Sequence, residues 1–186
     1  LRAIPNLTIL SPATPIEAAA CVMTAYEHTG PVYIRLGMGG ETEYFGDGYT
    51  TAFGKSTVLA SGSAAAVLCT GSILSEVMEC RDILHSRGVD ISVLNMYSVK
   101  PLDEEAVLSA AGKHRMIFTV EEHSIYGGIG GAVSEVLAGH GCTAKLVRIG
   151  LQNSFAKGYG SQKDVRARNG LDGAGIAETI WEHLNG

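Results

Sequence analysis

The sequence predicts an α/β protein whose mostly parallel sheet is covered by helices on both faces. From residue 55 onward, short apolar runs rich in β-branched residues alternate with segments that carry apolar residues at helical spacing. This alternation is typical of parallel sheets with helical crossovers. We expect four or five strands in this part of the chain, preceded by a separate β-α-β unit.

The β-α-β unit occupies the start of the chain. Residues 7–10 and 31–36 are predicted strands, and the helix between them begins at the N-cap Thr14, with Glu17 completing a capping box. Such a unit normally forms a right-handed parallel crossover, but two strands and one helix cannot bury their own faces. We therefore expect it to dock on other residues. The helix is predicted to run to about His28 with one core-facing side formed by Ala18, Cys21, Val22 and Ala25.

A glycine-rich linker over residues 37–55 separates this unit from the larger one. The strands predicted over 56–60 and 64–69 flank a turn at Gly62, so they are candidates for antiparallel neighbours. Ser72 is a suitable N-cap for the next helix. The later elements are predicted as strands over 91–96, 116–120 and 144–149, and as helices over 73–87, 103–111, 132–139, 161–168 and 173–184.

Composition excludes several classes of function. The 186-residue chain has a net charge of −5 and no cluster of Lys and Arg, which argues against a nucleic-acid surface. No apolar segment of 18 residues and no signal peptide is present, so we expect a soluble protein without a membrane contact. The four cysteines are scattered and predict free, buried thiols of a cytoplasmic protein. The chain begins at Leu1 rather than Met, which suggests a fragment.

Three titratable side chains, Glu121, Glu122 and His123, follow a predicted buried strand. Ligands of open α/β sheets bind at such carboxyl edges, so these residues are candidates for an acid/base pair. The alternative is that they bond to a helix N-terminus or to a partner subunit. No His, Cys, Asp or Glu pair has the spacing of metal ligands, so we predict no metal site within the chain.

The glycine-rich loop after this strand does not fit a dinucleotide-binding fingerprint. Gly128 and Gly130 match the first two glycines of that motif, but Val133 occupies the position of the third small residue. The loop is also too long for the tight turn that the motif needs. Close packing of a helix N-terminus on a neighbouring strand or subunit explains these glycines well.

Several segments together resemble transketolases, in the same order and at similar spacing. The resemblance covers nearly the whole chain and is closest to the C-terminal half of the split bacterial and archaeal form. The segments that carry it are Pro5–Leu7, Ser11–Ala13, Gly30–Gly37, Lys100–Asp103, Thr119–His123, Gly127–Gly130 and Asn169–Ile176.

The resemblance implies two domains and a shared activity. Residues 1–47 would be the end of a pyrimidine-binding domain. Residues 48–186 would be a transketolase C-terminal domain, a three-layer α/β/α sandwich with a mostly parallel five-stranded sheet whose first strand is antiparallel. Family members move two-carbon ketol units between sugar phosphates with thiamine diphosphate and a divalent cation, Mg²⁺ or Ca²⁺. The diphosphate, the cation and the activating glutamate belong to upstream residues, so we expect no cofactor on this chain alone and no activity without its partner.

The same resemblance assigns roles to particular residues. Arg35 is predicted to bind substrate, with a structural ion pair as the alternative. Glu121, His123, Gly128 and Gly130 are predicted to face an interface, either with an N-terminal transketolase segment or within a homodimer of the whole enzyme. No residue of the chain is predicted to be catalytic.

One departure from the family pattern concerns Met38. Transketolases usually carry a second arginine at this position, which contacts the substrate phosphate, and a thioether cannot replace a bidentate cation. A deoxyxylulose-phosphate synthase and a 2-oxoacid dehydrogenase β-type chain therefore stay open as alternatives. A non-catalytic module that binds a partner at the 121–131 edge is a third.

Overall fold

The computed structural model describes residues 1–186 and contains two β-sheets. The strands are β1 (Thr8–Leu10), β2 (Val32–Ile34), β3 (Thr57–Ala60), β4 (Ala65–Cys69), β5 (Ile91–Asn95), β6 (Ser98–Lys100), β7 (Met116–Ser124) and β8 (Lys145–Leu151). The helices are α1 (Pro15–Tyr26), α2 (Leu74–Ser86), α3 (Glu104–Lys113), α4 (Ile129–Gly139), α5 (Gln162–Arg168) and α6 (Gly173–Asn185). None of these helices combines the length and the apolar character needed to cross a bilayer.

The larger sheet has five strands in the order β3-β5-β4-β7-β8. Four of them are parallel, and β3 runs antiparallel to β5, which confirms the predicted sheet. The predicted neighbour of β3 is wrong, because β3 pairs with β5 and not with β4. The connection after β3 crosses the start of β5, where the Ser92 hydroxyl bonds both the N–H and the C=O of Gly62, each at 3.0 Å.

Helices cover both faces of this sheet, as the three-layer prediction requires. Alternate residues of β4 point to opposite faces. Val67 and Cys69 belong to a buried cluster that also contains residues of α2 and α6. Ala66 and Leu68 belong to a second cluster with residues of α3 and α4. The α/β/α sandwich is therefore confirmed.

The smaller sheet joins the β-α-β unit to the rest of the chain. Its order is β2-β1-β6, with β1 parallel to β2 and antiparallel to β6. The sequence pattern did not predict β6, which comes from Ser98–Lys100. Leu10 and Cys21 pack with Tyr97, which directly precedes β6. The predicted unit thus docks on later residues of the same chain, while the domain boundary at residue 47 stays a prediction.

Two helix starts differ from the prediction. Ser72 does not cap α2, since a 3-10 turn over Gly71–Ile73 leads into that helix and the Ser72 hydroxyl accepts a hydrogen bond from Arg166 instead. Helix α4 begins at Ile129, three residues before the predicted start, because a carboxylate from β7 satisfies its first N–H groups.

The first helix begins where predicted and buries a different face. Thr14 caps α1 by accepting from the backbone N–H of Glu17 at 3.2 Å. Cys21 is fully buried, but Val22 is 51% exposed, so its predicted core position is wrong. Residues Glu17 and Cys21, not Val22, set the face that packs on the chain.

The cysteines have no disulfide partners. All four are free, and Cys21, Cys69 and Cys80 are buried, as the sequence predicted. Burial raises the pKa of the Cys21 and Cys80 thiols to about 12, so neither carries a reactive thiolate at neutral pH.

Candidate functional site

The carboxylate of Glu121 is the anchor of the sheet edge that the sequence singled out. Its side chain has no exposed surface. One oxygen accepts from the N–H of Ile129 at 2.7 Å and the other from the N–H of Gly130 at 3.0 Å. A carboxylate at a helix N-terminus stabilises the positive end of the helix dipole. Glu121 therefore serves the start of α4 and is not placed to exchange a proton with a ligand.

His123 lies beside this carboxylate and is partly exposed. Its Nε2 is 3.4 Å from Oε2 of Glu121, and its side chain is 43% exposed. Its Nδ1 is 2.8 Å from the backbone oxygen of Ser124, so the ring is held from both sides. The side chains of Glu121 and His123 do come together, but Glu121 supports the start of α4 and His123 stays partly exposed beside it.

The two glycines of the loop are needed for close approach. A Cβ on Gly128 would overlap the Glu121 carboxylate, and a Cβ on Gly130 would lie 2.8 Å from the Thr119 hydroxyl. Neither glycine has a positive φ, so space rather than backbone conformation excludes a side chain. The structure thus agrees with close packing of a helix N-terminus and offers no phosphate-binding turn here, because Glu121 already occupies the N–H groups.

Glu122 points to the opposite side of the strand and belongs to an ion-pair network. Arg166 approaches its Oε1 with Nε at 3.1 Å and Nη2 at 3.0 Å. The same guanidinium donates to Ser72 at 2.9 Å and to Glu76 at 3.3 Å. Glu76 in turn accepts from the backbone N–H of Gly173 at 3.0 Å, at the start of α6. Arg166, only 7% exposed, therefore ties β7, α2, α5 and α6 together.

Arg35 reaches this network from the smaller sheet. Its Nη2 lies 3.7 Å from Oε2 of Glu122, a distance that is too long for a hydrogen bond. The side chain is 40% exposed and lines a cleft of about 190 Å³ together with Ser11, Tyr33 and His123. The pairing with Glu122 matches the structural alternative for Arg35, and its predicted substrate contact stays a prediction.

Met38 does not line that cleft. It is 86% exposed and lines two other cavities, one beside Pro12 and Leu36 and one beside Val165. Arg35 lines neither of these cavities, although the cavity beside Val165 shares Glu122 with the Arg35 cleft. No lysine or arginine lines the cavity beside Pro12, which contains the acidic Glu41 instead.

Glu17, which the sequence predicted to complete a capping box with Thr14, instead forms a buried connection between α1 and β5 of the larger sheet. Glu17 accepts from the N–H of Ala13 at 2.7 Å and from the Tyr49 hydroxyl at 3.0 Å. The Asn95 amide lies 2.8 Å from both of its oxygens. Burial raises the pKa of this carboxyl, with Glu43 adding a smaller contribution of the same sign. Neither this network nor Arg166 had a signal in local spacing, because their partners lie far apart in the sequence.

No group of three or more His, Cys, Asp and Glu side chains is placed to hold a cation. The helix N-termini beside the clefts are also occupied, α4 by Glu121 and α1 by Thr14 together with Glu43, which accepts from the N–H of Ile16 at 2.9 Å.

Comparison with known proteins gives consistent matches. The family model described as transketolase, C-terminal domain, matches residues 54–176. A protein of Methanocaldococcus jannaschii named as a transketolase C-terminal section is 34% identical over 99% of the chain and 58% of its own length. One of the subunits of the apulose-4-phosphate transketolase of Actinobacillus succinogenes is 33% identical over 96% of the chain and 57% of its length. A 1-deoxy-D-xylulose-5-phosphate synthase of Nitrosomonas eutropha is 35% identical over the whole chain and 30% of its length.

Solved structures give the same result. A split-gene transketolase described as an inactive β4 tetramer superposes with a TM-score of 0.92 at 31% identity, over 99% of this chain and 60% of that one. A transketolase of Pichia stipitis at 21% identity shares the fold, with a TM-score of 0.71 over 99% of this chain and 26% of that one. The chain thus spans less than two thirds of each relative named above.

Proposed function

Because the chain belongs to the transketolase C-terminal domain family, we propose that it is the C-terminal portion of a transketolase-like transferase. The whole enzyme would move two-carbon ketol units between sugar phosphates, with thiamine diphosphate and a divalent cation. The observation that carries the proposal is the match to the split-gene transketolase, at a TM-score of 0.92 over 99% of the chain. Thiamine diphosphate would supply the carbon nucleophile. This chain would complete the site around the cofactor and form part of the interface with the partner.

The cofactor would be held by residues outside this chain. The relatives include a transketolase C-terminal section and a split-gene transketolase described as an inactive tetramer. This supports a partner that is an N-terminal transketolase segment or subunit, with residues 1–47 completing its pyrimidine-binding domain and 48–186 forming the C-terminal domain. It also supports an inactive chain when the partner is missing.

The contact with the partner is proposed to run along the 121–131 edge. Among the four residues predicted for it, Glu121 is buried in the chain, and Gly128 and Gly130 are required by internal packing. His123 offers exposed surface there, and the neighbouring Tyr126 is 60% exposed. The glycine loop would then present a rigid surface. The whole enzyme is proposed to be a homodimer of such assemblies in the cytoplasm, a location that the free thiols support.

A second candidate is a deoxyxylulose-phosphate synthase, which the relative from Nitrosomonas eutropha favours at 35% identity. Met38 bears on this choice, because the transketolase pattern has an arginine there. We propose that Arg35 contacts the phosphate of the substrate if that phosphate binds in the cleft that Arg35 lines. Arg35→Ala would then raise KM for a ketose phosphate by about tenfold, which corresponds to one lost charge-assisted contact.

Reconstitution tests the proposal directly. The chain is mixed with its N-terminal partner, thiamine diphosphate and Mg²⁺, and is assayed with a ketose phosphate plus an aldose phosphate and, separately, with pyruvate. Ketol transfer that needs both polypeptides is the expected result, whereas decarboxylation of pyruvate would favour the synthase or a 2-oxoacid dehydrogenase β-type chain. The absence of carbon–carbon cleavage with every donor would refute both.

A matched pair of variants tests the proposed edge. His123 and His140 each place Nδ1 near a backbone oxygen, at 2.8 and 3.0 Å. His123→Ala should weaken association with the N-terminal partner, and His140→Ala, at the far end of α4, should not. Equal effects of the two changes would place the contact elsewhere.

A further inference from the structure

Ser11 carries a buried hydroxyl without a hydrogen-bond partner. The residue is 3% exposed, and its Oγ makes no hydrogen bond within the chain. Four buried side-chain atoms are in this state, and Ser11 is the one residue among them that lines the cleft beside Arg35. Burying a hydroxyl without a partner is unfavourable, and a ligand oxygen in the cleft would offset that cost.

The backbone of Ser11 is fixed by later residues of the same chain. Its N–H donates to the backbone oxygen of Tyr97 at 2.7 Å, and its C=O accepts from the N–H of Gly71 at 3.1 Å. Ser11 therefore lies between the smaller sheet and the 3-10 turn over Gly71–Ile73. Because residues of this chain alone bury Ser11, an uncovered outer surface does not explain why its hydroxyl has no partner.

Gly71 brings the Ser11 hydroxyl and the Arg35 guanidinium close together. A Cβ on Gly71 would lie 2.8 Å from Oγ of Ser11 and 3.6 Å from Nη1 of Arg35. The φ of Gly71 is +71°, a conformation that favours glycine, so no side chain separates the two donors. The other nitrogen of Arg35, Nη2, faces Glu122 beyond hydrogen-bond distance, and Glu122 pairs more closely with Arg166, at 3.0 Å. Nη1 is therefore available to a ligand.

We propose that Ser11 and Arg35 form a two-donor subsite for an oxyanion in this cleft. The inference rests on the substrate contact proposed for Arg35 and adds the Ser11 hydroxyl as a second donor. A phosphate or a carboxylate has several acceptor oxygens, and a hydroxyl and a guanidinium can donate to different oxygens of the same group. The anionic end of the substrate would thus give Ser11 Oγ the partner that the chain does not supply.

Anion binding and stability of the full 186-residue chain test the proposal together. Calorimetric titrations with inorganic phosphate and, separately, with pyruvate give the dissociation constants. Ser11→Ala should raise the dissociation constant of the anion that binds about tenfold, which corresponds to about 1.4 kcal/mol. The same change should leave the free energy of unfolding of the anion-free chain unchanged or higher, because it removes an unpaired buried hydroxyl. Tighter binding of phosphate would identify a sugar phosphate as the source of the anion, and tighter binding of pyruvate a 2-oxoacid.

Ser98→Ala is the matched control. The Ser98 hydroxyl is also buried, but it accepts from the N–H of Gly54 at 2.9 Å and donates to the C=O of Pro101 at 2.6 Å. Ser98→Ala should therefore lower the free energy of unfolding, measured in urea, and leave the dissociation constants unchanged.

Three results would overturn the proposal. They are a wild-type chain that binds neither anion, anion binding that Ser11→Ala leaves unchanged, and a loss of stability in Ser11→Ala as large as in Ser98→Ala. Binding that Arg35→Ala weakens and Ser11→Ala does not would keep the Arg35 contact and reject the second donor. No arm measures turnover, so a failed reconstitution would be a separate result.

Discussion

Replacing Gly128 by alanine tests whether the Glu121 carboxylate holds the start of α4. The backbone of Gly128, at φ −93° and ψ −154°, is accessible to alanine, so the change acts through space alone. The new methyl group would overlap the carboxylate, which is buried and cannot move without leaving the N–H groups of Ile129 and Gly130.

The expected cost follows from those two donors. A buried donor that loses its partner costs about 1–3 kcal/mol, so Gly128→Ala should lower the free energy of unfolding by about 2–6 kcal/mol. For a chain of this size that corresponds to a fall in Tm of at least about 4 °C. Urea denaturation followed by circular dichroism measures the change.

A control and a double mutant make the test specific. Gly139 is the last residue of the same helix and has open space where a Cβ would lie, so Gly139→Ala should be neutral or stabilising by up to about 1 kcal/mol. In a Glu121→Ala background the cost of Gly128→Ala should largely disappear, because the two changes remove the same bonds. A cost below about 0.5 kcal/mol, or one that persists without Glu121, would refute the reasoning.

Two further predictions concern the buried charges. Burial raises the pKa of Glu17 above its ordinary value of 4.5, so its contribution to stability is fully present below that pH and is lost as pH rises through the folded-state pKa. The difference in unfolding free energy between wild type and Glu17→Gln, measured in urea, should therefore fall from pH 4.5 upward; a constant difference would contradict it. Arg166→Ala leaves Glu122 and Glu76 without their shared cation and should lower the free energy of unfolding by about 3–5 kcal/mol. The control Arg81→Ala, at the exposed pair with Asp82, should lower it by about 0–1 kcal/mol. Similar losses for the two variants would mean that the Arg166 network does not stabilise the fold.

Local pattern was sufficient to predict the strands and helices of the larger sheet, but not the pairing of β3. The five consecutive apolar residues of β4 predict a buried strand, and the spacing of Val77, Cys80 and Leu84 predicts a helix. Each of these patterns lies within the segment whose conformation it predicts. The pairing of β3 was mispredicted, because a turn at Gly62 does not determine whether β3 pairs with the next strand, β4, or with β5.

The site was only partly accessible from the sequence. The strand end at Glu121 and the tight packing of Gly128 and Gly130 could be anticipated, since residue type and spacing carry that information. The Arg166 bond to Glu122 joins residues 44 positions apart, and the Asn95 bond to Glu17 joins residues 78 apart. A buried arginine in a short polar helix has the same local sequence pattern as an exposed arginine. Only the tertiary structure therefore identifies Arg166 as buried.

The pairing of β6 with β1 has a consequence for dividing the gene. A chain cut within residues 37–56 would separate β1 from the strand that completes its sheet, and it would also part Glu17 from Asn95. The N-terminal fragment would therefore not be an autonomous module that could be exchanged between proteins, because it would recover its three-stranded sheet only when the other fragment supplies β6.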